Sequence, residues 1–167
     1  MIFFFSFLIF STLFITSCSS VISKPVLESV DRTITFPELK DHPERFVGKT
    51  VLLGGEIVTT TVGKGESWIE VVQKTLDQES RPRDTDLSEG RFLILFKGSL
   101  DPAMYVKGRK IAVAGEVQGK KILPLSEMEY SYPVILPREC HVWQPAELYG
   151  GPRFGIGVGI GVGGVIR

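Results

Sequence analysis

The chain has 167 residues, of which 43% are hydrophobic, and its 19 basic residues balance its 19 acidic residues. Since the formal net charge is zero, no long-range field attracts the protein to nucleic acid, and we expect no nucleic-acid partner. The length suffices for one domain with a hydrophobic core but is short for two domains.

The first 17 residues carry no charged side chain, and a nearly unbroken run of Phe, Leu and Ile covers residues 2–15. A spanning helix needs about 20 apolar residues, so residues 1–17 are predicted to be a cleaved signal peptide. The following Thr16-Ser17-Cys18-Ser19 resembles a bacterial lipobox. That resemblance implies diacylglycerol on Cys18 and acylation of the new amino terminus, giving several buried chains. The alternative is an ordinary secretory signal.

Residues 18–32 are predicted to be a lipidated tether, because they are short and polar, contain proline and show no helical period. We assign residues 33–149 to one domain. At its start, Thr35-Phe36-Pro37-Glu38 has the pattern of a capping box with proline in the first turn. It predicts a short helix from Glu38 to Asp41 that ends before Pro43.

From Thr50 onward, short β-branched runs alternate with glycines, which is typical of an all-β barrel or sandwich. Three strands are predicted at Thr50–Val62, Ser67–Gln73 and Arg91–Lys97. A helical turn at residues 100–105 and a closing hairpin of residues 109–117 and 121–125 follow. This order is typical of a mostly β, five-stranded OB-like barrel, and the alternative is an open sandwich. We expect residues 130–149 to form an extended segment packed across the barrel.

Several short motifs occur in one order along the chain: Gly54-Gly55-x-Ile57, Gly90-Arg91-Phe92, Leu100-Asp101-Pro102-x-x-Tyr105, Ala114-Gly115-x-Val117 and Tyr130-x-Tyr132-Pro133-Val134. Their order and spacing resemble the Slp family of starvation-inducible outer-membrane lipoproteins, from the lipobox to about Trp143. The resemblance implies an OB-like domain in a Gram-negative outer membrane, with no established molecular activity. Ser19 agrees with that location, because the usual inner-membrane retention signal is an aspartate at this position.

The residues offer little for catalysis or for a cofactor, and we expect neither an enzyme nor a bound metal. His42 is far from His141 along the chain, and the neighbours Cys140 and His141 would face opposite sides of a strand. Acylation of Cys18 would leave Cys140 without a disulfide partner.

Three strand carboxylates are candidates for an acid and base pair, although a solvated outer face explains them more simply: Glu56, Glu70 and Glu116. Five basic residues around the predicted hairpin are candidates for contact with anionic head groups, the alternative being a solvated edge: Lys107, Arg109, Lys110, Lys120 and Lys121. Within the tail at 150–167, residues 155–163 alternate Gly with Ile or Val. It could add to a sheet edge of its own barrel, of another copy or of an envelope protein, pack against the membrane, or remain flexible.

The sequence therefore predicts a non-enzymatic lipoprotein in the outer membrane that faces the periplasm, with a structural or binding role in the cell envelope. The resemblance adds a link to stress or starvation. The alternatives are a small-ligand-binding barrel and, less favoured, a cell-wall or lipid hydrolase. A filled barrel would favour the structural role, an apolar pocket ligand binding, and converging acids in a deep cleft an enzyme.

Overall fold

A computed structural model describes residues 20–144 of the chain. Short helical segments come first: α1 (Lys24–Glu28), α2 (Phe36–Asp41) and a 3₁₀ turn (Pro43–Phe46). Five strands follow: β1 (Thr50–Val62), β2 (Glu66–Gln73), β3 (Arg91–Lys97), β4 (Lys110–Leu125) and β5 (Met128–Val142). The predicted signal peptide, Cys18 and the tail at 150–167 lie outside the described residues, and the predictions made for them stay predictions.

The five strands form one closed barrel in the order β1-β2-β3-β5-β4. All neighbours pair antiparallel except β3 and β5, which pair parallel with Leu93 opposite Val134 and Ile94 opposite Ile135. This arrangement confirms the predicted OB-like barrel and excludes the alternative, an open sandwich. Closure also removes most unpaired strand edges.

The interior of the barrel is filled by aliphatic and aromatic side chains. Phe92, Ile69 and Ile111 are all 0% exposed there. Helix α2 covers part of this core with Leu39 and with Phe36, whose ring meets the ring of Phe92 edge-on at 6.1 Å. A closed barrel of only five strands is narrow, so its own side chains suffice to fill it.

The sequence located the first three strands well. The predicted bounds of β1 and β3 are confirmed, and β2 begins one residue earlier than expected. The capping box is also confirmed, since the Thr35 side chain accepts from the Glu38 amide and the Glu38 carboxylate accepts from the Thr35 amide. Helix α2 begins at Phe36, two residues before the predicted start.

The closing hairpin was predicted in the wrong place. The two strands expected about Gln118-Gly119-Lys120 are a single long strand, β4, in which Gly119 adopts a φ of 107° beside a shift in register. Glycine with positive φ marks a bulge here and not a turn. The turn lies at Ser126 and Glu127, and the segment expected only to be extended is the fifth strand.

The segment before α2 is attached to the barrel along its described length. Although it shows no helical period, residues 24–28 form the short helix α1. Ile22 is 1% exposed, and the backbone amide and hydroxyl of Ser23 each donate to Glu139 Oε2 at 2.9 Å. The Asp31 amide donates to the Thr50 carbonyl at 2.8 Å. The part of the predicted tether that the structure describes is therefore held by specific contacts.

Gly55 provides a test of barrel packing. A Cβ atom at this position would clash with the Val72 carbonyl oxygen, and a methyl group of Val71 would lie 2.8 Å from that Cβ atom. Because backbone cannot move aside cheaply, Gly55→Ala should lower the free energy of unfolding by about 2–3 kcal/mol. Gly65→Ala is the matched control, since no atom lies within 4 Å of its added carbon. Chemical denaturation measures both, and equal stability of the two variants would contradict the packing described.

Candidate functional site

The β4 and β5 hairpin extends beyond the barrel wall and folds over the outer face of β2 and β3. Beyond residue 117, β4 pairs with β5 alone among the named strands. This arm forms a second apolar cluster outside the barrel, whose members are Leu93, Tyr132 and Val134 with Trp68, Leu95, Leu123 and Tyr130 packed around them. The outer face of β2 and β3 is where OB folds commonly bind ligands.

A groove of about 160 Å³ lies between the arm and the outer face of the first three strands. Pairing across the sheet places its residues in two rows, Thr59 beside Glu70 and Thr61 beside Trp68. Its lining consists of Thr59, Thr61, Trp68, Glu70, Leu93, Lys121 and Leu123. The groove therefore combines an aromatic ring, two hydroxyls, one carboxylate and one ammonium with an apolar floor. We call it the outer groove.

Glu70 connects the sheet to the arm. One of its carboxylate oxygens accepts from the Arg91 guanidinium at 2.6 Å and from the Tyr132 hydroxyl at 3.1 Å. The Tyr130 hydroxyl accepts from the Arg91 amide at 2.9 Å, and the Tyr130 and Tyr132 rings lie 4.6 Å apart. Burial, with the Glu70 charge as the next cause, raises the pKa of Tyr132 to about 12. These contacts fix the base of the groove.

Trp68 and Lys121 form the wall of the groove. The Lys121 ammonium lies 3.6 Å from the centre of the Trp68 ring, a cation–π contact between sheet and arm. The indole N–H is directed away and donates to Glu66 at 3.0 Å. An occupant could therefore meet the ammonium and the hydroxyls without breaking the indole hydrogen bond.

The three strand carboxylates do not form an acid and base pair. Glu70 lies opposite residue 59 of β1, whereas Glu116 lies opposite residue 50, at the other end of that strand. Glu116 pairs instead with Arg138 at 3.6 Å, and Glu56 lies opposite Lys110. The simpler interpretation, an outer face that meets solvent and cations, describes these residues better.

A second, polar cavity of about 340 Å³ lies between the loop at residues 82–86 and the barrel. Lys110 and Asp84 form an ion pair at 2.6 Å, and the Lys74 ammonium donates to the Thr85 carbonyl at 2.6 Å. The hydrogen bond and charge of Lys110 lower the pKa of the exposed Asp84 carboxyl. This shift favours the charged carboxylate of Asp84, whereas a general acid working near neutral pH needs a raised pKa.

The predicted basic cluster is not one patch in the structure. It was expected around a hairpin, but β4 continues through that region as one strand, and about ten residues separate Lys110 from Lys120, roughly 30 Å of chain along the strand. Lys110 pairs with Asp84, Lys120 with Glu44 at 3.5 Å, and Lys121 covers Trp68. Arg109 and Lys107 precede the strand, and Arg109 donates to the Met104 carbonyl at 2.8 Å. Contact of these basic residues with anionic lipid stays a prediction.

Cys140 is a free cysteine within residues 20–144. It packs against the barrel core, its sulfur lies 4.0 Å from the Tyr105 hydroxyl, and burial raises the pKa of the thiol. His141 faces the other way, with its ring 4.5 Å from that of Trp143. Among the described residues, no group of three or more His, Cys, Asp and Glu side chains could hold a metal ion. In the same range, no helix is long and apolar enough to cross a membrane.

The sequence of this chain matches a family of known proteins. The model of the outer membrane lipoprotein Slp family matches residues 15–154. An uncharacterized protein of Haemophilus influenzae is 34% identical over 105 residues, covering 62% of this chain and 57% of that protein. Outer membrane protein Slp of Escherichia coli is 24% identical over 114 residues, covering 68% of this chain and 60% of that protein. The matches thus span under two thirds of the length of these relatives.

Tyr132 gives a pH-dependent test of how the arm is attached. Its pKa is raised from 10.0 to about 12, so the neutral phenol is favoured in the folded state. The resulting stabilisation is fully present below pH 10 and is lost as the pH rises toward 12. Tyr132→Phe should lower the free energy of unfolding by roughly 1 kcal/mol at neutral pH, because the hydrogen bond to Glu70 is lost. Above pH 10, the free energy of unfolding of the variant should fall less steeply than that of the parent. Denaturant unfolding at several pH values measures this, and parallel pH profiles for parent and variant would contradict it.

Proposed function

The chain belongs to the outer membrane lipoprotein Slp family, and from this we propose that lipid on Cys18 holds its barrel at the outer membrane, on the periplasmic side. There the barrel serves as a structural or binding module of the cell envelope and catalyses no reaction. The lipobox motif and the family match, which includes Cys18, support the anchor. Several acyl chains on one residue would make release from the membrane rare.

The filled barrel is the observation that carries the proposal of a structural or binding module. Residues such as Phe92, Ile94 and Val113 are 0% exposed in its interior, so any binding has to use the outside. The outer groove, at about 160 Å³, is smaller than the roughly 300–1,000 Å³ typical of small-molecule pockets. It suits one side chain or a short extended segment of another envelope molecule better than a whole metabolite.

Ligand binding in the outer groove is the second candidate. The Trp68 ring, the Lys121 ammonium and the Thr59 hydroxyl would suit a compact group that has one apolar face and one anionic or hydroxylated edge. A hydrolase is less favoured, because the Glu70 and Asp84 carboxylates are each paired with a cation. A role in starvation or other stress rests on the family resemblance alone.

The two cysteines of the chain allow a matched test of the anchor. Cys18→Ser should abolish incorporation of labelled palmitate and move the protein out of the membrane fraction, because the acyl chains would be missing. Cys140→Ser should keep both the label and the membrane location, since Cys140 is half-buried in the barrel wall. Retention of label by the Cys18 variant, or its loss from the Cys140 variant, would contradict the anchor.

Sorting to the outer membrane can be tested at Ser19. Ser19→Asp introduces the usual inner-membrane retention signal directly after the lipidated residue and should move the protein to inner-membrane fractions on a density gradient. Ser19→Thr, which keeps the hydroxyl, should leave it in outer-membrane fractions. Equal distributions of the two variants would mean that sorting does not depend on this residue.

A further inference from the structure

Very little chain separates the proposed lipid attachment residue from the first residue fixed on the barrel. On this basis, and resting on the proposed anchor at Cys18, we infer that the barrel lies directly against the lipid leaflet that holds it, in one orientation. The surface that meets the head groups consists of residues 20–23, the turn at residues 77–83 and the end of β5 at residues 139–143. We call this surface the anchor rim.

The first step is the reach of the chain. Ser20 is already placed, with its hydroxyl 3.1 Å from that of Ser80. Two peptide units join residue 18 to residue 20, and they span at most about 7 Å. A flexible tether of a dozen residues would instead allow roughly 20 Å of separation. The short link keeps the Cα atom of Ser20 within about 10 Å of the sulfur that carries the lipid, and the Ser80 hydroxyl within roughly 15 Å of that sulfur.

The second step is that this point of attachment is itself fixed. Ser80 is 6% exposed and has a φ of 67°. Asp77 holds its turn by accepting from the backbone amides of Glu79 and Arg81, each at 2.9 Å. The residues that follow Ser20 also hold the N-terminal segment on the barrel. Ile22 is buried, and Ser23 makes the two hydrogen bonds to Glu139 described above. The position of the lipid therefore sets the position of the whole barrel.

The third step is the chemistry of the rim. Arg81, next to Ser80, places its guanidinium 5.9 Å from the centre of the Trp143 ring. The Trp143 backbone is held because its amide donates to the Lys110 carbonyl at 3.0 Å, and the ring lies 4.5 Å from that of His141. Tryptophan is enriched at the depth of lipid head groups, and arginine binds phosphate in a forked geometry. A paired Arg81 and Trp143 beside the lipid attachment point thus suits a phospholipid surface.

The two tryptophans of the chain lie at different distances from the rim. The backbone of Trp143 is hydrogen-bonded to that of Lys110, which lies opposite Glu56 of β1. Trp68 lies opposite Thr61, five residues further along β1, or about 16 Å. One indole is therefore next to the anchor and the other lies toward the far end of the barrel, so single-tryptophan variants can measure the orientation.

The experiment uses the full lipidated protein in phosphatidylcholine and phosphatidylglycerol vesicles, with and without phosphatidylcholine brominated near the head group. Trp68→Phe leaves only Trp143, whose fluorescence should fall roughly twofold with brominated lipid. Trp143→Phe is the matched variant; it leaves only Trp68, whose emission should hardly change. A flexible Gly and Ser spacer of about 15 residues between Ser19 and Ser20, built into the Trp68→Phe variant, should remove the quenching and keep attachment to the vesicles.

Vesicle flotation separates the two proposals. Vesicle-attached protein in which Trp143 is not quenched, or in which Trp68 is quenched as strongly, overturns the orientation while leaving the anchor in place. Quenching that survives the spacer overturns the argument from the short link. Failure of the lipidated parent to float overturns the anchor and the orientation together.

Discussion

The parallel pairing of β3 with β5 is the contact on which the rest of the structure depends. It rests on two opposed pairs, Leu93 with Val134 and Ile94 with Ile135, and it closes the barrel. On one side of this contact, β5 continues along the first half of β4 toward Trp143. On the other side, β5 and the second half of β4 leave the barrel wall as the arm. One closing contact therefore places both outer surfaces.

Because the interior is filled, the outer groove and the anchor rim both lie on the outside of the barrel. The outer groove depends on Glu70, which joins the sheet to the arm through Arg91 and Tyr132. The anchor rim depends on the end of β5, where Glu139 accepts both bonds from Ser23. If the rim faces the leaflet, the groove lies toward the far end of the barrel, where another envelope molecule can reach it. A short, fixed anchor would thus present the groove at a constant height above the lipid.

Local patterns predicted local structure well, and contacts between distant residues could not be predicted. The bounds of β1 and β3 followed from composition. The capping box that begins at Thr35 followed from four residues. The hairpin was misplaced because a glycine bulge at Gly119 and a glycine turn look alike in sequence. Prolines at 133 and 137 also concealed β5, since proline is rare inside sheets. The basic residues were expected together because the prediction placed them around that hairpin. The hydrogen bond between Ser20 and Ser80 joins residues 60 positions apart, so no local pattern could predict it.

Hydrogen exchange of the membrane-bound protein tests the central claim, a barrel held directly against the leaflet, most directly. Exchange of the lipidated protein on vesicles should be compared by mass spectrometry with that of the Cys18→Ser form in solution. The account predicts slower exchange at residues 77–83 and around Trp143 on vesicles, and unchanged exchange at the turn between β1 and β2. Identical exchange at the anchor rim in both forms, or protection confined to the turn between β1 and β2, would contradict it.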